Sequence, residues 1–152
     1  MTDAPPRELE ERLRDTRARL EGDVDLWVAT SGSPGGVHLI PLSFLWDGTT
    51  FLVSTPRTSI TSRNLVADDR VRLSFGPTRD VVIVDATAEP VNIADLAPGT
   101  GEAFAAKTGF DPREPDEQAY RFFLIRPRRI QAWREANELR GRDLMRDGRW
   151  LG

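Results

Sequence analysis

Cysteine is absent from this 152-residue sequence, and histidine occurs once, as His38. The lack of cysteine excludes disulfide bonds, thiolate nucleophiles and zinc sites built on cysteine. One histidine leaves too few ligands for a zinc cluster, and no GxSxG motif accompanies it as a Ser-His-Asp triad of the hydrolase type would require. The sequence therefore predicts no metal site.

Long apolar runs are also missing, and none approaches the length that crosses a membrane. The N-terminal stretch MTDAPPRELEERLRD is acidic and helical in pattern, whereas a signal peptide would be basic and then apolar. With 39% hydrophobic and 30% charged residues, the composition indicates one soluble globular domain over residues 1–152. We expect a cytoplasmic protein without a membrane partner.

Lysine is nearly absent, since Lys107 is the only one, and 21 basic residues against 24 acidic ones give a formal net charge of -3. Arginines are concentrated in residues 121–152, but acidic residues interrupt them there. A nucleic-acid surface would present a continuous basic patch. We therefore expect no nucleic-acid partner.

The first 21 residues have the pattern of an amphipathic helix. Leu9, Leu13 and Leu20 fall near one face of it, and Gly22 marks its end. The prolines at positions 5 and 6 suit the first turn of a helix, where a missing N–H costs nothing. The sequence therefore predicts one N-terminal helix that packs on, or covers, the rest of the domain.

After this helix the pattern changes to short apolar runs separated by turn residues, which is typical of antiparallel strands. Strands are predicted at 24–30, 37–46, 50–54, 71–75, 81–91 and 120–133, with turns at SGSPGG (31–36) and Asp47-Gly48. A short helix is expected at 59–67, capped by Thr58 or Ser59, and one or two more in 92–119. The predicted fold is mainly β with a few helices: a closed or split antiparallel barrel of about six strands, because an open sheet of this size would leave long unprotected edges.

Two of these strands are apolar on both faces, namely VHLIPLSFLW (37–46) and VVIV (81–84). One face fills the barrel, and the other needs a cover as well. The helices are too few to provide it, so the pattern favours a homodimer with an isologous contact between sheets. Pro41 lies in the middle of its strand, where proline is tolerated at an edge, at a bulge or beside something other than a strand. A flat ligand along that edge would explain it.

A loop rich in hydroxyl groups follows the third strand. It reads STPRTSITSRNL from Ser54 to Leu65 and ends in the predicted short helix. Such a loop is either a polar turn with a helix cap or a ligand site, because the start of a helix presents unpaired N–H groups to anions. Local sequence leaves both readings open.

The stretch VHLIPLSFLWDGTTFLVSTPRTSITSRNLVADDRVRLSF resembles the split β-barrel flavin and deazaflavin proteins related to pyridoxamine 5'-phosphate oxidase. The likeness extends over roughly residues 20–135, and the order and spacing of the strands, the hydroxyl-rich loop and the RNL helix carry it. It implies an FMN-binding-type split barrel, Greek-key-like, in which a cofactor ring lies along the 37–46 strand and its phosphate lies at the loop. The implied cofactor-binding residues are Leu39, Ile40, Pro41, Leu42, Ser43, Thr55, Arg57, Ser59, Thr61 and Arg63.

One departure from the family pattern concerns charge. Family members carry lysine or arginine where this chain has Ile60 and Thr61. A phosphate monoester such as that of FMN needs more neutralisation than the phosphodiester of the deazaflavin F420. The cofactor is therefore expected to be F420 or FMN, with F420 favoured.

The resemblance implies a cofactor-dependent oxidoreductase that transfers hydride to a small electron-poor substrate of the alkene or quinone type. The alternatives are a protein that binds the cofactor without turnover and a degenerate barrel without catalysis. No catalytic residue is assigned, since His38 and Tyr120 fit surface or structural roles equally well.

The C-terminal residues 136–152 are rich in large side chains and include a tight turn at Asp147-Gly148 that would fold Trp150 back toward Leu144 and Met145. In the resembled family the cofactor lies between subunits. We therefore expect this segment to lie at the dimer interface, with Trp133 and Arg134 nearest the cofactor. Packing of the segment on its own barrel is the alternative.

Overall fold

The computed structural model describes residues 4–33 and 36–152, with the side chain of Ser33 left out. Three helices are present: α1 (Leu9–Gly22), α2 (Ile60–Ala67) and α3 (Thr100–Thr108). The first six strands are β1 (Asp25–Ser33), β2 (Gly36–Trp46), β3 (Phe51–Pro56), β4 (Arg70–Ser74), β5 (Val81–Val91) and β6 (Tyr120–Trp133). Two short strands follow, β7 (Asp143–Arg146) and β8 (Arg149–Trp150), and single 3-10 turns lie at Ile93–Asp95 and Ala136–Glu138.

Six strands close into an antiparallel barrel. The strand order is β3-β2-β1-β4-β5-β6, and β6 pairs back onto β3 to complete the circle. Strands β7 and β8 extend the sheet beyond β6 as a small hairpin. The predicted barrel of about six strands, mainly β with few helices, is confirmed.

The predicted strand bounds agree closely with the observed ones. Strands β5 and β6 have the predicted limits, and β1 is longer than predicted, so that the turn between β1 and β2 is shorter than the six residues of SGSPGG. Residues 34 and 35 of that turn, and residues 1–3 of the predicted N-terminal segment, lie outside the described residues. One detail of the N-terminal prediction was wrong: Pro5 and Pro6 precede the helix, which has Glu8 as its N-cap.

The barrel interior is filled by alternating side chains from all six strands. At its centre the ring of Phe44 packs edge-on against Phe75 and Phe51, with ring centroids 5.5 Å and 5.7 Å away. Helix α1 adds Leu13 and Leu20, which are 3% and 0% exposed. Such burial of aromatic and leucine side chains is the main favourable term in folding.

A second, smaller cluster lies outside the barrel wall. It joins Leu52 of β3, Phe122 of β6 and Phe104 of α3, and the rings of Phe104 and Phe122 meet edge-on at 5.5 Å. Since Leu52 alternates with the interior Phe51 and Val53, this face of the sheet would otherwise be in water. Helix α3 therefore covers the outer face of β3, of β6 and of β2 near Leu45.

The C-terminal segment packs on its own barrel. Leu144 and Met145 belong to the main core, and Met145 pairs with Trp150 across the predicted turn at Asp147-Gly148, where Asp147 has a φ of 52°. Glu138 is 3% exposed and accepts hydrogen bonds from the Arg7 side chain at 2.8 Å and 2.9 Å. These hydrogen bonds connect the C-terminal segment to the N-terminal part of the chain.

Candidate functional site

The barrel is split between β2 and β3. Pairing of these strands runs from Trp46↔Phe51 to Phe44↔Val53 and ends there, so that residues 36–43 of β2 pair with β1 alone. The opposite edge of β3 at this level pairs with β6. The split therefore leaves an open edge along the first eight residues of β2.

Pro41 lies on this open edge, and the hydrogen-bond pattern explains how it is tolerated. The Phe44 amide donates to Val24 O at 2.9 Å, which makes Asp25↔Ser43 and, two residues further, Trp27↔Pro41 non-hydrogen-bonded pairs. The nitrogen of Pro41 consequently points away from β1 toward the split. Of the three positions that the sequence allowed for Pro41, an edge, a bulge or a place beside something other than a strand, the structure shows the edge. This edge lacks one donor that a further strand would need.

A cleft of about 510 Å³ lies beside this edge. Its walls come from both sides of the split and from α3 and the chain beyond it: Asp25, Pro41, Leu42, Ser43, Ser54, Pro56, Phe104, Thr108, Phe110 and Tyr120. Ser43 Oγ donates to Asp25 Oδ1 at 2.6 Å, so that these two polar residues of the cleft are hydrogen-bonded to each other. Its size is within the range of small-molecule sites.

The hydroxyl-rich loop begins where this cleft ends. Pro56 lines the cleft, and the Ser59 amide donates to Pro56 O at 3.0 Å in a tight turn. Ser59 is the N-cap of α2: its hydroxyl accepts from the Ser62 amide and lies 2.9 Å from Thr55 Oγ1. The N-cap of α2 is therefore within about 10 Å of chain from Pro56 in the cleft.

Two amides at the start of α2 have no acceptor. The N–H groups of Ile60 and Thr61 precede the first intrahelical bond, and in the described chain no other acceptor reaches them. The Thr61 hydroxyl is fully buried and is likewise without a hydrogen-bond partner. This helix start thus offers the donors that an anion requires.

Arg121 brings positive charge to the same place. It lies opposite Thr55 in the β3–β6 pair, and its Nη1 donates to Ser62 Oγ at 3.3 Å. Sequence reasoning did not single out this residue, because its position depends on the closure of the barrel between β3 and β6. Positions 60 and 61 hold uncharged residues, so the positive charge at the start of α2 is supplied by Arg121, from a strand distant in sequence.

The structure brings together some of the predicted cofactor-binding residues and separates others. Pro41, Leu42 and Ser43 line the cleft, while Thr55, Ser59 and Thr61 surround the start of α2. Ile40 is half-buried, and Leu39, 57% exposed, lies on the outer face of β2. These residues form two adjoining groups, one along the open edge and one at the loop.

The predicted arginines lie elsewhere. Arg57 lines a different pocket, together with residues that follow β5 and precede β6. Arg63 is exposed on α2, and it forms no ion pair with any residue that the structure describes. Neither side chain forms a hydrogen bond or an ion pair with the described residues at the start of α2.

Trp133 and Arg134 lie at the far end of β6, roughly 40 Å of strand away from Tyr120. Arg134 is engaged there, since its amide donates to Glu138 and its side chain pairs with Asp80 at 3.2 Å. Within one chain these two residues do not reach the cleft. An approach to the cofactor of a second subunit stays a prediction.

Among the described residues, neither side chain considered for proton transfer has a hydrogen-bond partner. Tyr120 lines the cleft, and its ring meets Phe110 at 5.1 Å, but within residues 4–33 and 36–152 its hydroxyl is unpaired. His38 pairs with Thr30 through the backbone of β1 and β2 and is half-exposed. Of the two, Tyr120 alone lines the cleft.

Lys107 of α3 lies between the cleft residues Phe104 and Thr108 in sequence. Its Nζ is buried 4.0 Å from the centroid of the Phe44 ring and has no hydrogen-bond partner. Burial lowers the pKa of this amine, because removal from water disfavours the charged form. The part of the chain described here contains no group of three or more His, Cys, Asp or Glu side chains arranged for a metal ion.

The fold and the split edge define a split β-barrel, and the family comparison agrees. The family model described as pyridoxamine 5'-phosphate oxidase matches residues 14–134. The chain belongs to this family, and the resemblance inferred from the sequence is confirmed. Among curated protein sequences, none matches this chain.

Solved structures show the same barrel at low sequence identity. One titled F420 reductase is 18% identical, with a TM-score of 0.61 over 75% of this chain and 94% of its own. General stress protein 26 from Bacillus anthracis is 17% identical, with a TM-score of 0.61 over 82% and 93%. A putative pyridoxamine 5'-phosphate oxidase from Listeria innocua is 16% identical, with a TM-score of 0.61 over 81% and 99%. At these identities the likeness shows the fold alone.

In residues 4–33 and 36–152 no helix has the length and apolar character to span a bilayer.

Proposed function

We propose that this protein binds F420 or FMN in the split of the barrel and acts as an oxidoreductase on a small electron-poor substrate. The observation that carries the proposal is the adjacency of two features: the open edge of β2 at Pro41 and the unpaired amides at the start of α2. A flat ring fits beside an edge that no strand covers, and an anionic phosphate fits a helix start.

The donor set fits a phosphate. Two unpaired amides, those of Ile60 and Thr61, the buried hydroxyl of Thr61 and the guanidinium of Arg121 lie in or against the first turn of α2. Charge-assisted hydrogen bonds from arginine to phosphate are among the strongest in proteins. Leu39 and Ile40 are retained in the proposed set on the family resemblance alone, whereas Arg57, which lines another pocket, and Arg63, which is exposed on α2, are not included in it.

When bound, the cofactor would supply hydride transfer, and the protein would position the reactants and exclude water. Pro41, Leu42 and Ser43 would hold the ring against the edge. Phe104 and Phe110 would keep water from the opposite side of the cleft. Tyr120, whose hydroxyl is unpaired, is placed to hold or move a proton at the substrate.

F420 is the favoured cofactor. Its phosphodiester carries one charge, and Arg121 is the one cation of the described residues that contacts α2 near its start. The structural likeness to a protein titled F420 reductase agrees with this preference without establishing it. FMN, with nearly two charges on its phosphate, would be bound with less complete neutralisation.

We further propose a homodimer that buries the outer face of β1 and β2. Trp27, Val37 and Leu39 are 43%, 80% and 57% exposed, and Pro41 adjoins Trp27 on the same face. A second copy with the same patch would cover both apolar surfaces and would also close the cleft from outside. Membership of the family is consistent with a dimer.

The test is a spectroscopic titration of the purified protein with F420 and with FMN. Saturable binding of F420, tighter than that of FMN and followed by turnover of a quinone or an activated alkene, supports the proposal. Binding without turnover of any such acceptor would indicate a cofactor carrier. Absence of binding by both cofactors would contradict the proposal and leave a barrel without this role.

A further inference from the structure

A second cavity, of about 480 Å³, lies where β3 ends and β6 begins. Pro56 pairs with Tyr120, Val91 pairs with Phe122, and the Arg57 amide donates to Ala119 O at 3.1 Å. These pairings bring three segments of the chain to one place. We call this cavity the Arg57 pocket, with Arg57, Asn92, Glu117, Gln118, Tyr120 and Phe122 among its lining residues.

The Arg57 guanidinium is unpaired in this pocket. Its Nε is buried from solvent and has no hydrogen-bond partner, and its side chain makes no ion pair with any described residue. Other arginines of this chain are engaged: Arg7 holds Glu138, and Arg113 holds Asp111. A buried donor without an acceptor is costly, so that a ligand supplying oxygen atoms would be favoured here.

Further donors line the same pocket. In the ranges that the structure describes, the hydroxyl of Tyr120 and the side-chain amide of Gln118 are likewise without hydrogen-bond partners. Val91, Ile93 and Phe122 supply apolar surface beside them. The pocket thus combines a planar cation with neutral donors and an apolar wall, a composition typical of sites for small organic anions.

We infer that the Arg57 pocket binds a small organic oxyanion, a carboxylate or a phosphate attached to a compact apolar body. The planar guanidinium takes the two oxygens side by side, which an ammonium group cannot do with the same geometry. The apolar body lies against Val91 and Phe122. Glu117, which lines the same pocket without pairing to Arg57, opposes the anion and limits its affinity.

The Arg57 pocket is separate from the split cleft. The two cavities share Tyr120 as a lining residue, while Pro56 lines the cleft and Arg57 lines the second pocket. The inference concerns the protein without cofactor and does not depend on the proposed function. It also gives Arg57 a role other than contact with the cofactor phosphate.

The first experiment is a titration of the whole protein, followed by NMR or calorimetry, with benzoate and with inorganic phosphate as probes. We expect saturable binding of at least one probe, weakened about tenfold or more in R57Q. R63Q, which removes an exposed arginine of α2, should bind as the wild type does. E117Q should bind more tightly, by a few fold, because it removes the opposing carboxylate.

The comparison of the two probes identifies the source of the oxyanion. Benzoate binding more tightly than phosphate indicates a carboxylate with an apolar body, and the reverse order indicates a phosphate. Equal binding by wild type and R57Q, or no saturable binding of either probe, would overturn the inference. Thermal unfolding verifies that R57Q and R57K are folded. R57K keeps the positive charge but lacks the planar guanidinium.

A competition experiment separates this pocket from the cofactor site. Simultaneous binding of benzoate and F420 or FMN supports two sites, whereas displacement of the probe one for one would assign Arg57 to the cofactor site and overturn the inference. If neither cofactor binds, the proposed function fails, but the benzoate titration still decides the role of Arg57.

Discussion

Arg121 lies directly opposite Thr55 in the antiparallel pair of β3 and β6, and its guanidinium donates to Ser62 Oγ at the start of α2. Paired residues of adjacent strands project to the same face of a sheet. The closure of the barrel thus places a cation beside the helix that begins with the proposed phosphate donors.

Replacement of this cation is the first prediction. R121Q should weaken binding of F420 or FMN by about 1.5–3 kcal/mol, the range for a hydrogen bond to a charged group. R63Q is the matched control, because Arg63 is exposed on α2 and forms no ion pair with the residues described. Fluorescence titration measures both. A larger loss of cofactor affinity in R63Q than in R121Q would indicate that Arg63, as predicted from the sequence, contacts the phosphate.

The second prediction concerns the dimer. L39K places a charge in the exposed apolar patch of β1 and β2 and should convert a dimer into monomers, while L139K, at a leucine 41% exposed beyond β6, should leave the dimer intact. Light scattering measures the mass of each variant. Loss of the dimer in L139K alone would support the C-terminal segment as the interface instead.

Deletion of residues 136–152 is a poor test of the same question. Leu144 and Met145 are 0% and 3% exposed in the main core, and Glu138 holds Arg7. A truncated chain would expose this core and lose the ion pair, so that a change in mass would report unfolding. Point variants keep the core intact.

The third prediction is a dependence of stability on pH. Hydrogen bonds from Arg7 hold the pKa of Glu138 at about 2, below its ordinary value of 4.5. The folded state therefore favours the ionised carboxylate: its contribution is present above pH 4.5 and is lost as the pH falls toward 2. The shift corresponds to about 3 kcal/mol at about 1.4 kcal/mol per pH unit.

Urea unfolding of the wild type and E138Q between pH 6 and pH 2.5 measures this contribution. E138Q should be several kcal/mol less stable at pH 6, because Arg7 loses its buried partner, and the gap should close as the pH falls. E135Q is the matched control, since Glu135 meets only Arg79, an exposed arginine, at 3.7 Å. A gap between wild type and E138Q that stays constant down to pH 2.5 would show that Glu138 does not carry the effect.

The fourth prediction concerns Lys107. Burial above the Phe44 ring lowers the pKa of this amine, so that the folded protein binds fewer protons than the unfolded chain at pH values between the lowered pKa and 10.5. Stability of the wild type relative to K107M should therefore rise with pH over that window. At pH 7, K107M should be as stable as the wild type or more stable, by up to about 1 kcal/mol, because methionine fills a similar space without a buried charge.

Chemical unfolding at pH 7 and pH 9.5 compares the two proteins. K107R is the control, because arginine stays charged throughout and should show no such rise. A difference between wild type and K107M that does not change with pH would indicate that the Lys107 amine is solvated in solution.

Much of the secondary structure followed from local pattern. The strands at 81–91 and 120–133 have the bounds that alternation and turn residues predicted, and Ser59, one of the two predicted caps, caps α2. The turn at Asp147-Gly148 folds Trp150 onto Met145 as predicted. These features depend on residues close together in the chain, whose preferences act within one turn of helix or one hairpin.

The family likewise followed from sequence, because the order of strands, loop and helix between residues 37 and 75 is itself the family's pattern. The open edge at Pro41 could also be anticipated from the sequence. Proline cannot donate a hydrogen bond to a neighbouring strand, so its presence in the middle of an apolar strand favours a place that no strand pairs with, such as an edge.

The composition of the site was decided by tertiary structure. Arg121 reaches α2 because β6 closes the barrel against β3, and Arg7 reaches Glu138 across 131 residues of chain. Arg57 is part of the predicted phosphate loop in sequence, yet the register of Pro56 against Tyr120 places it in a separate pocket. Composition and periodicity determine which residues form strands and which face is apolar, whereas the partners of a charged side chain depend on which distant strands meet. Barrel closure and core packing determine which strands meet, because each strand must match the register and the packing of the strands on both of its sides.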